Sequence, residues 1–177
     1  ENMDSRIALP GGTTLRFFDK SGGAVVFDIV REIGRGGSCI VYDAVYTANT
    51  GDVKHIRIKE CYPYKLRIER GENGYLKAAN NLLFENAKEK FKSDFSLGNG
   101  LFYSGDLFDA LTNTIDIYSG NGTVYLASEY SAENTLASYC PKSLKDCISI
   151  VRQVACILQK IHSEGYLYLD IKPDNVL

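Results

Sequence analysis

The sequence predicts an α+β fold: a five-stranded antiparallel sheet carrying one main helix, followed by the first helices of a helical region. Three observations predict it. Runs of β-branched and aromatic residues separated by glycine-bearing turns fill most of the chain up to residue 130. A helical apolar stripe interrupts them once, after the third strand. Past Pro141 the apolar spacing turns helical and stays so as far as Gly165.

Residues 9–18 and 24–27 read as short strands around Asp19-Lys20-Ser21-Gly22-Gly23, an N-terminal hairpin or extension occupying residues 1–23. Residues 27–33 alternate loosely, glycines intervene, and residues 40–46 resume strand character. Asn49-Thr50-Gly51-Asp52 punctuates a turn, after which residues 53–59 form a third strand with Ile56 and Ile58 on one face and Lys59 on the other. Between residues 75 and 95, Phe84, Ala87, Phe91 and Phe95 recur at steps of three and four, so an amphipathic helix is expected there. Residues 114–118 and 123–130 flank Ser119-Gly120-Asn121-Gly122, whose Asn-Gly pair suits a left-handed hairpin turn. Pro141 opens the last helix, residues 143–164, striped by Leu144, Ile148, Val151, Val154, Leu158 and Ile161 and stopped by Gly165. A composition shift at residues 131–140 divides a sheet-based part, 24–130, from a helical part, 131–177.

Composition excludes several function classes. The 20 basic and 22 acidic residues give a net charge of -2 with no block of like charge, so neither nucleic acid nor a charged membrane surface is implied as partner. Five cysteines, an odd number without a CxxC pair, have only His55 and His162 to help complete a zinc site, and read as reduced thiols of a cytoplasmic protein. Residues 1–10 lack the basic and apolar regions of a secretory signal, and no stretch approaches the roughly 20 apolar residues of a membrane span.

Three segments carry chemistry. Gly34-Arg35-Gly36-Gly37-Ser38-Cys39 lies between two strands, where glycines let a hairpin fold closely over a nucleotide with backbone N–H groups on phosphate. The same residues also suit a plain turn. A dinucleotide-binding fold would need a helix after the loop, and residues 40–46 read as strand. Lys59, on the strand that follows, offers an ammonium able to reach phosphates, although a strand lysine is often a solvated edge residue. In Tyr168-Leu169-Asp170-Ile171-Lys172-Pro173-Asp174-Asn175 a carboxylate can accept a hydroxyl proton, and an amide oxygen five residues on can hold a metal.

In this order the three segments resemble the eukaryotic-like Ser/Thr protein kinases over residues 26–177, with Ile56-Arg57-Ile58-Lys59 similar to V-A-I-K and residues 168–175 similar to H-R-D-L-x-x-x-N. The resemblance implies a kinase N-lobe at 24–130 and the start of a helical C-lobe at 131–177. It implies phosphoryl transfer from ATP, with Mg2+, to Ser or Thr hydroxyls of a protein substrate. Asp170 would be the base, Lys172 would mark Ser/Thr specificity, and Asn175 would be a metal ligand. Nucleotide contacts would come from Ile33, Gly34, Gly36, Gly37, Ser38, Val41 and Lys59. Glu85, or else Glu89, would pair with Lys59. Ser128 would be a small gatekeeper admitting bulky ATP analogues, with Glu129 and Ser131 offering backbone groups to adenine.

The departures matter. Cys39 stands at the third loop glycine, and Tyr168 and Leu169 replace the motif's His and Arg. Leu169 cannot pair with a phosphorylated activation loop, so the resemblance implies activation without that phosphorylation. The insert at 61–81 separates strand and helix, and the sequence ends before a D-F-G motif, so residues 1–177 by themselves are expected to be inactive. A pseudokinase serving as a nucleotide sensor or scaffold is the alternative; a small-molecule kinase such as an antibiotic phosphotransferase usually lacks the Lys172-Pro173 pair.

Overall fold

The computed structural model describes residues 4–47, 51–103, 114–129 and 135–176, with the side chains of 98–103 and 114 left aside. The chain forms two compact units, one within Glu1–Gly98 and Asn113–Tyr130, the other within Asn99–Thr112 and Ser131–Leu177.

The first unit is built on an antiparallel sheet of six strands, not the expected five: β1 (Thr14–Phe18), β2 (Ala24–Arg35), β3 (Cys39–Thr47), β4 (Val53–Cys61), β7 (Thr114–Gly120) and β8 (Thr123–Glu129), in the order β1-β2-β3-β4-β8-β7. The sixth strand is β1. It joins the sheet because alternation turns Leu15 and Phe17 inward, where Phe17 packs on Phe27, Tyr118 and Tyr125. The β1–β2 turn is held by Asp19, whose Oδ1 accepts from the N–H groups of Ser21 and Gly23 at 2.8 Å each. The turn expected at 49–52 lies partly outside the described residues.

Residues 76–78, expected to lie in the helix, instead form β6 (Leu76–Ala78), which pairs with β5 (Ile68–Arg70) in a second, two-stranded sheet. The helix α1 (Asn81–Tyr103) starts only where the Asn80 side chain caps the Leu83 N–H at 3.1 Å. Its inner stripe contains the expected Phe84, Ala87, Phe91 and Phe95. In the β7–β8 turn Asn121 and Gly122 both take left-handed φ, 48° and 75°, as the Asn-Gly pair requires. A Cβ on Gly122 would run into the Leu76 carbonyl, so β6 can lie against this turn only with glycine there.

One face of the large sheet makes the core: Leu15, Phe17, Phe27, Ile29, Ile40, Tyr42, Ala44, Ile56, Ile58, Tyr125 and Ala127 are each at most 4% exposed. Glu60 is buried among them at 0%. Its carboxylate accepts from the hydroxyls of Tyr42 (2.8 Å) and Tyr125 (3.0 Å) and from Arg70 Nη2 (2.6 Å), so the buried charge is paired and hydrogen-bonded. Burial beside this charge pushes both tyrosine pKa values up.

In the second unit α2 (Leu144–Ser163) is capped by Ser143, whose Oγ accepts from the Asp146 N–H at 3.1 Å. It ends with Gly165 at φ 84° and the bonds Gly165 N–H to His162 and Tyr166 N–H to Ile161, a Schellman ending. Of the expected stripe Ile161 is buried, while Leu144, Ile148 and Val151 are exposed.

Candidate active site

The first unit carries the expected nucleotide-binding groups. The loop between β2 and β3 is closed by the Gly36 N–H on the Cys39 carbonyl at 2.9 Å. Every carbonyl from 36 to 39 is taken: Gly36 and Cys39 accept from Arg6, at 2.9 and 3.3 Å, Gly37 from the Tyr64 N–H at 2.9 Å, and Ser38 from the Tyr62 N–H at 3.0 Å. The N–H groups of Gly37 and Ser38 have no protein acceptor among the described residues. Gly34, Gly36 and Gly37 do not take left-handed backbone, so their conformational freedom is not what the loop uses. A Cβ at Gly34 or Gly37 would meet nothing within 4 Å, which means that this side of the loop is open.

Pairing registers place the other expected residues. Val41, Lys59 and Leu126 form one row across β3, β4 and β8, and Asp43, Arg57 and Ser128 form the next. Directly opposed residues share a face, so Val41, Lys59 and Ser128 stand together on the face away from the core. Ile33 is the extra residue of a bulge between Glu32 and Gly34. Ser128 is 3% exposed and its Oγ has no hydrogen-bond partner among the described residues. Glu129, exposed, ends β8, and Ser131 lies outside the described residues.

Glu85 and Glu89, the expected partners of Lys59, each bond another lysine. Glu85 is 59% exposed and bonds Lys88 at 2.7 Å, and Glu89 bonds Lys92 at 2.8 Å. Glu85 sits one position round the helix from the buried Phe84, so it turns outward; the polar residue on the inner stripe is Lys88, which donates to the Gly122 carbonyl at 3.3 Å. Lys59 has no ion-pair partner among the described residues.

The second unit holds the carboxylate loop. Asp170 Oδ2 accepts from Lys172 Nζ at 3.0 Å and from Asn175 Nδ2 at 2.9 Å, and Asn175 Nδ2 also donates to the Asp170 carbonyl at 2.8 Å. A single 3-10 turn, Pro173–Asn175, brings Asn175 back onto Asp170, with Pro173 at its start where no N–H is needed. The Pro173 and Val176 carbonyls accept from Ala137 and Leu136 and anchor the loop. The Lys172 bond, then the Asn175 bond, holds the Asp170 carboxyl below its usual pKa, and the bond to Asp170 with its negative charge raises Lys172. Leu169 is 88% exposed.

Sequence reasoning missed Arg6, Glu60 and Arg70. For Glu60 a signal existed, since alternation after Ile56 and Ile58 turns it inward. Arg6 and Arg70 act through contacts distant in sequence and had none.

The glycine loop, the strand lysine and the Asp-Ile-Lys-Pro-Asp-Asn loop each resemble the matching segment of the protein kinases. Comparison with known proteins gives the particular resemblance, to Ser/Thr protein kinases. The chain is 26% identical over 166 residues to "Serine/threonine-protein kinase PknD" of Chlamydia pneumoniae, covering 85% of the chain and 15% of that protein. It is 26% identical over 130 residues to "Serine/threonine-protein kinase STE20" of Candida glabrata, covering 67% of the chain and 14% of that protein. The solved structure "PpkA-294 apo form" superposes with a TM-score of 0.68 at 25% identity, over 95% of the chain and 56% of its own length. No family model matches. The chain thus spans about one-seventh of the length of these curated relatives.

Proposed function

We propose that the protein containing this chain transfers the γ-phosphoryl group of ATP to Ser or Thr hydroxyls of protein substrates. The observation that carries this reading is the junction of Asp170, Lys172 and Asn175 in one hydrogen-bonded loop. Both donors use Asp170 Oδ2, which fixes the carboxylate and leaves Oδ1 to accept the substrate hydroxyl's proton. The hydroxyl oxygen bonds to the γ-phosphorus as the bond to the β,γ-bridging oxygen breaks, and ADP leaves. Lys172 supplies positive charge where negative charge spreads in the transition state. Lys59 and the free Gly37 and Ser38 amides would hold the phosphates, with Ile33, Gly34, Gly36 and Val41 lining the nucleotide and Ser128, Glu129 and Ser131 serving its base.

The residues fit Mg2+ by donor chemistry: Asn175 spends its amide nitrogen on Asp170, which leaves Oδ1 as a hard oxygen ligand. Bound Mg2+ would neutralise phosphate charge. Among the described residues no helix is long and apolar enough to cross a membrane; the five cysteines, all free thiols, fit a cytoplasmic setting. Incubating the full-length protein with γ-labelled ATP and a mixed protein substrate should yield phosphoserine or phosphothreonine. Label only on tyrosine, or none, would reject the proposal.

One observation favours a second reading. Glu85 bonds Lys88 and leaves Lys59 without the acidic partner an active kinase uses, as a nucleotide-binding pseudokinase would allow. A rise in melting temperature with ATP, without phosphate transfer, would select it.

A further inference from the structure

We infer that Arg6 is a positioning residue for phosphate binding, holding the Gly36–Gly37 peptide so that the Gly37 N–H faces the nucleotide. The inference rests on the nucleotide-binding reading above. Peptides are planar and trans, so a carbonyl drawn to one side sends the next residue's N–H to the other. Arg6 Nη2 holds the Gly36 carbonyl at 2.9 Å, which sets the direction of the Gly37 N–H; the Tyr64 N–H does the same for Ser38 through the Gly37 carbonyl. Without such holders, glycine peptides reorient cheaply, and a carbonyl turned toward a phosphate would repel it.

Arg6 is built for this place. Its side chain is 6% exposed. Nη1 donates to the carbonyls of Cys39 and Tyr62, so one planar guanidinium fixes both ends of the loop and the segment after β4. Its Cζ lies 5.9 Å from the Tyr62 ring centre and 5.7 Å from that of Tyr64. Asp4 pairs with Nη2 at 2.6 Å and with Nε at 3.0 Å, and Arg35 donates to the Arg6 carbonyl at 2.8 Å. With its charge answered by Asp4, Arg6 acts through geometry rather than as a phosphate ligand.

The test compares calorimetric binding of MgATP and of adenosine, which lacks phosphates, to the full-length protein and its Arg6→Ala and Arg6→Lys variants. Losing a buried charge-assisted donor should weaken MgATP roughly tenfold in Arg6→Ala and leave adenosine within about twofold. Arg6→Lys, whose single ammonium cannot span three carbonyls, should fall between and decides the matter if Arg6→Ala does not fold. Equal losses for both ligands, or unchanged MgATP affinity, would overturn the inference. Where wild type binds MgATP in a Lys59-dependent way, such a result removes Arg6's role alone; a wild type that binds no MgATP removes the nucleotide reading and the inference with it.

Discussion

Replacing Arg70 with Met would leave the Glu60 carboxylate buried without its cation, directly behind the strand that bears Lys59. Glu60 is 0% exposed and Arg70 meets it at 2.6 Å with only 5% of its own side chain exposed. Breaking a pair this buried costs about 3–5 kcal/mol, because the stranded charge keeps its desolvation penalty. For a chain of this size each kcal/mol lowers the melting temperature by about 2–4 °C, so Arg70→Met should melt roughly 6–20 °C below wild type. Arg70 also donates to the Ile7 and Gly74 carbonyls, and part of the loss belongs to them. Adding Glu60→Gln separates the two parts: the amide oxygen still accepts from Tyr42 and Tyr125 but carries no charge, so the double variant should recover at least about half of the loss. Urea unfolding of both variants and wild type measures this. A loss below about 1 kcal/mol for Arg70→Met, or a double variant no better than the single, would refute the reasoning.

Glu85→Gln should leave MgATP affinity within about twofold, whereas Lys59→Ala should weaken it about tenfold or more; equal effects in a titration would restore Glu85 as the lysine's partner. Ser128→Ala removes a buried hydroxyl that has no partner among the described residues, so thermal unfolding should show unchanged or slightly raised stability, by up to about 1 kcal/mol, and a clear loss would mean that Oγ is bonded. Asp4 is held at about 2 against an ordinary 3.8, chiefly by its bond to Arg6. Its folded-state pKa is depressed, so the stabilisation is fully present above its ordinary value and is lost as pH falls through about 2. The difference in melting temperature between wild type and Asp4→Asn should therefore be constant near neutral pH and close as pH drops from 3.8 toward about 2; a gap that persists there would reject the pairing.

Much of the fold was legible because its signals are local. Alternation at Ile56, Ile58 and Lys59, the Asn121-Gly122 turn and the Ser143 to Gly165 helix limits need only neighbouring residues to be read. What the sequence hid depends on partners far along the chain. β1 becomes the sixth strand through Phe17's contacts with Tyr118 and Tyr125, and residues 76–78 are strand because β6 pairs β5 and lies on the β7–β8 turn. The carboxylate loop was readable as a motif, since Asp170, Lys172 and Asn175 bond one another within six residues. The helix acid was not: one step round α1 separates an inward from an outward side chain, and the stripe alone does not say that Lys88 turns in and Glu85 out.

The central claim is that Asp170 serves phosphoryl transfer and not nucleotide binding. Its most direct test is single-turnover phosphate transfer by the full-length Asp170→Asn variant, measured beside its MgATP affinity. Asparagine keeps the shape and the hydrogen bonds from Lys172 and Asn175 but cannot take the hydroxyl proton. Transfer should fall by roughly 10²–10⁴ while MgATP affinity stays unchanged. Transfer at the wild-type rate would contradict the account.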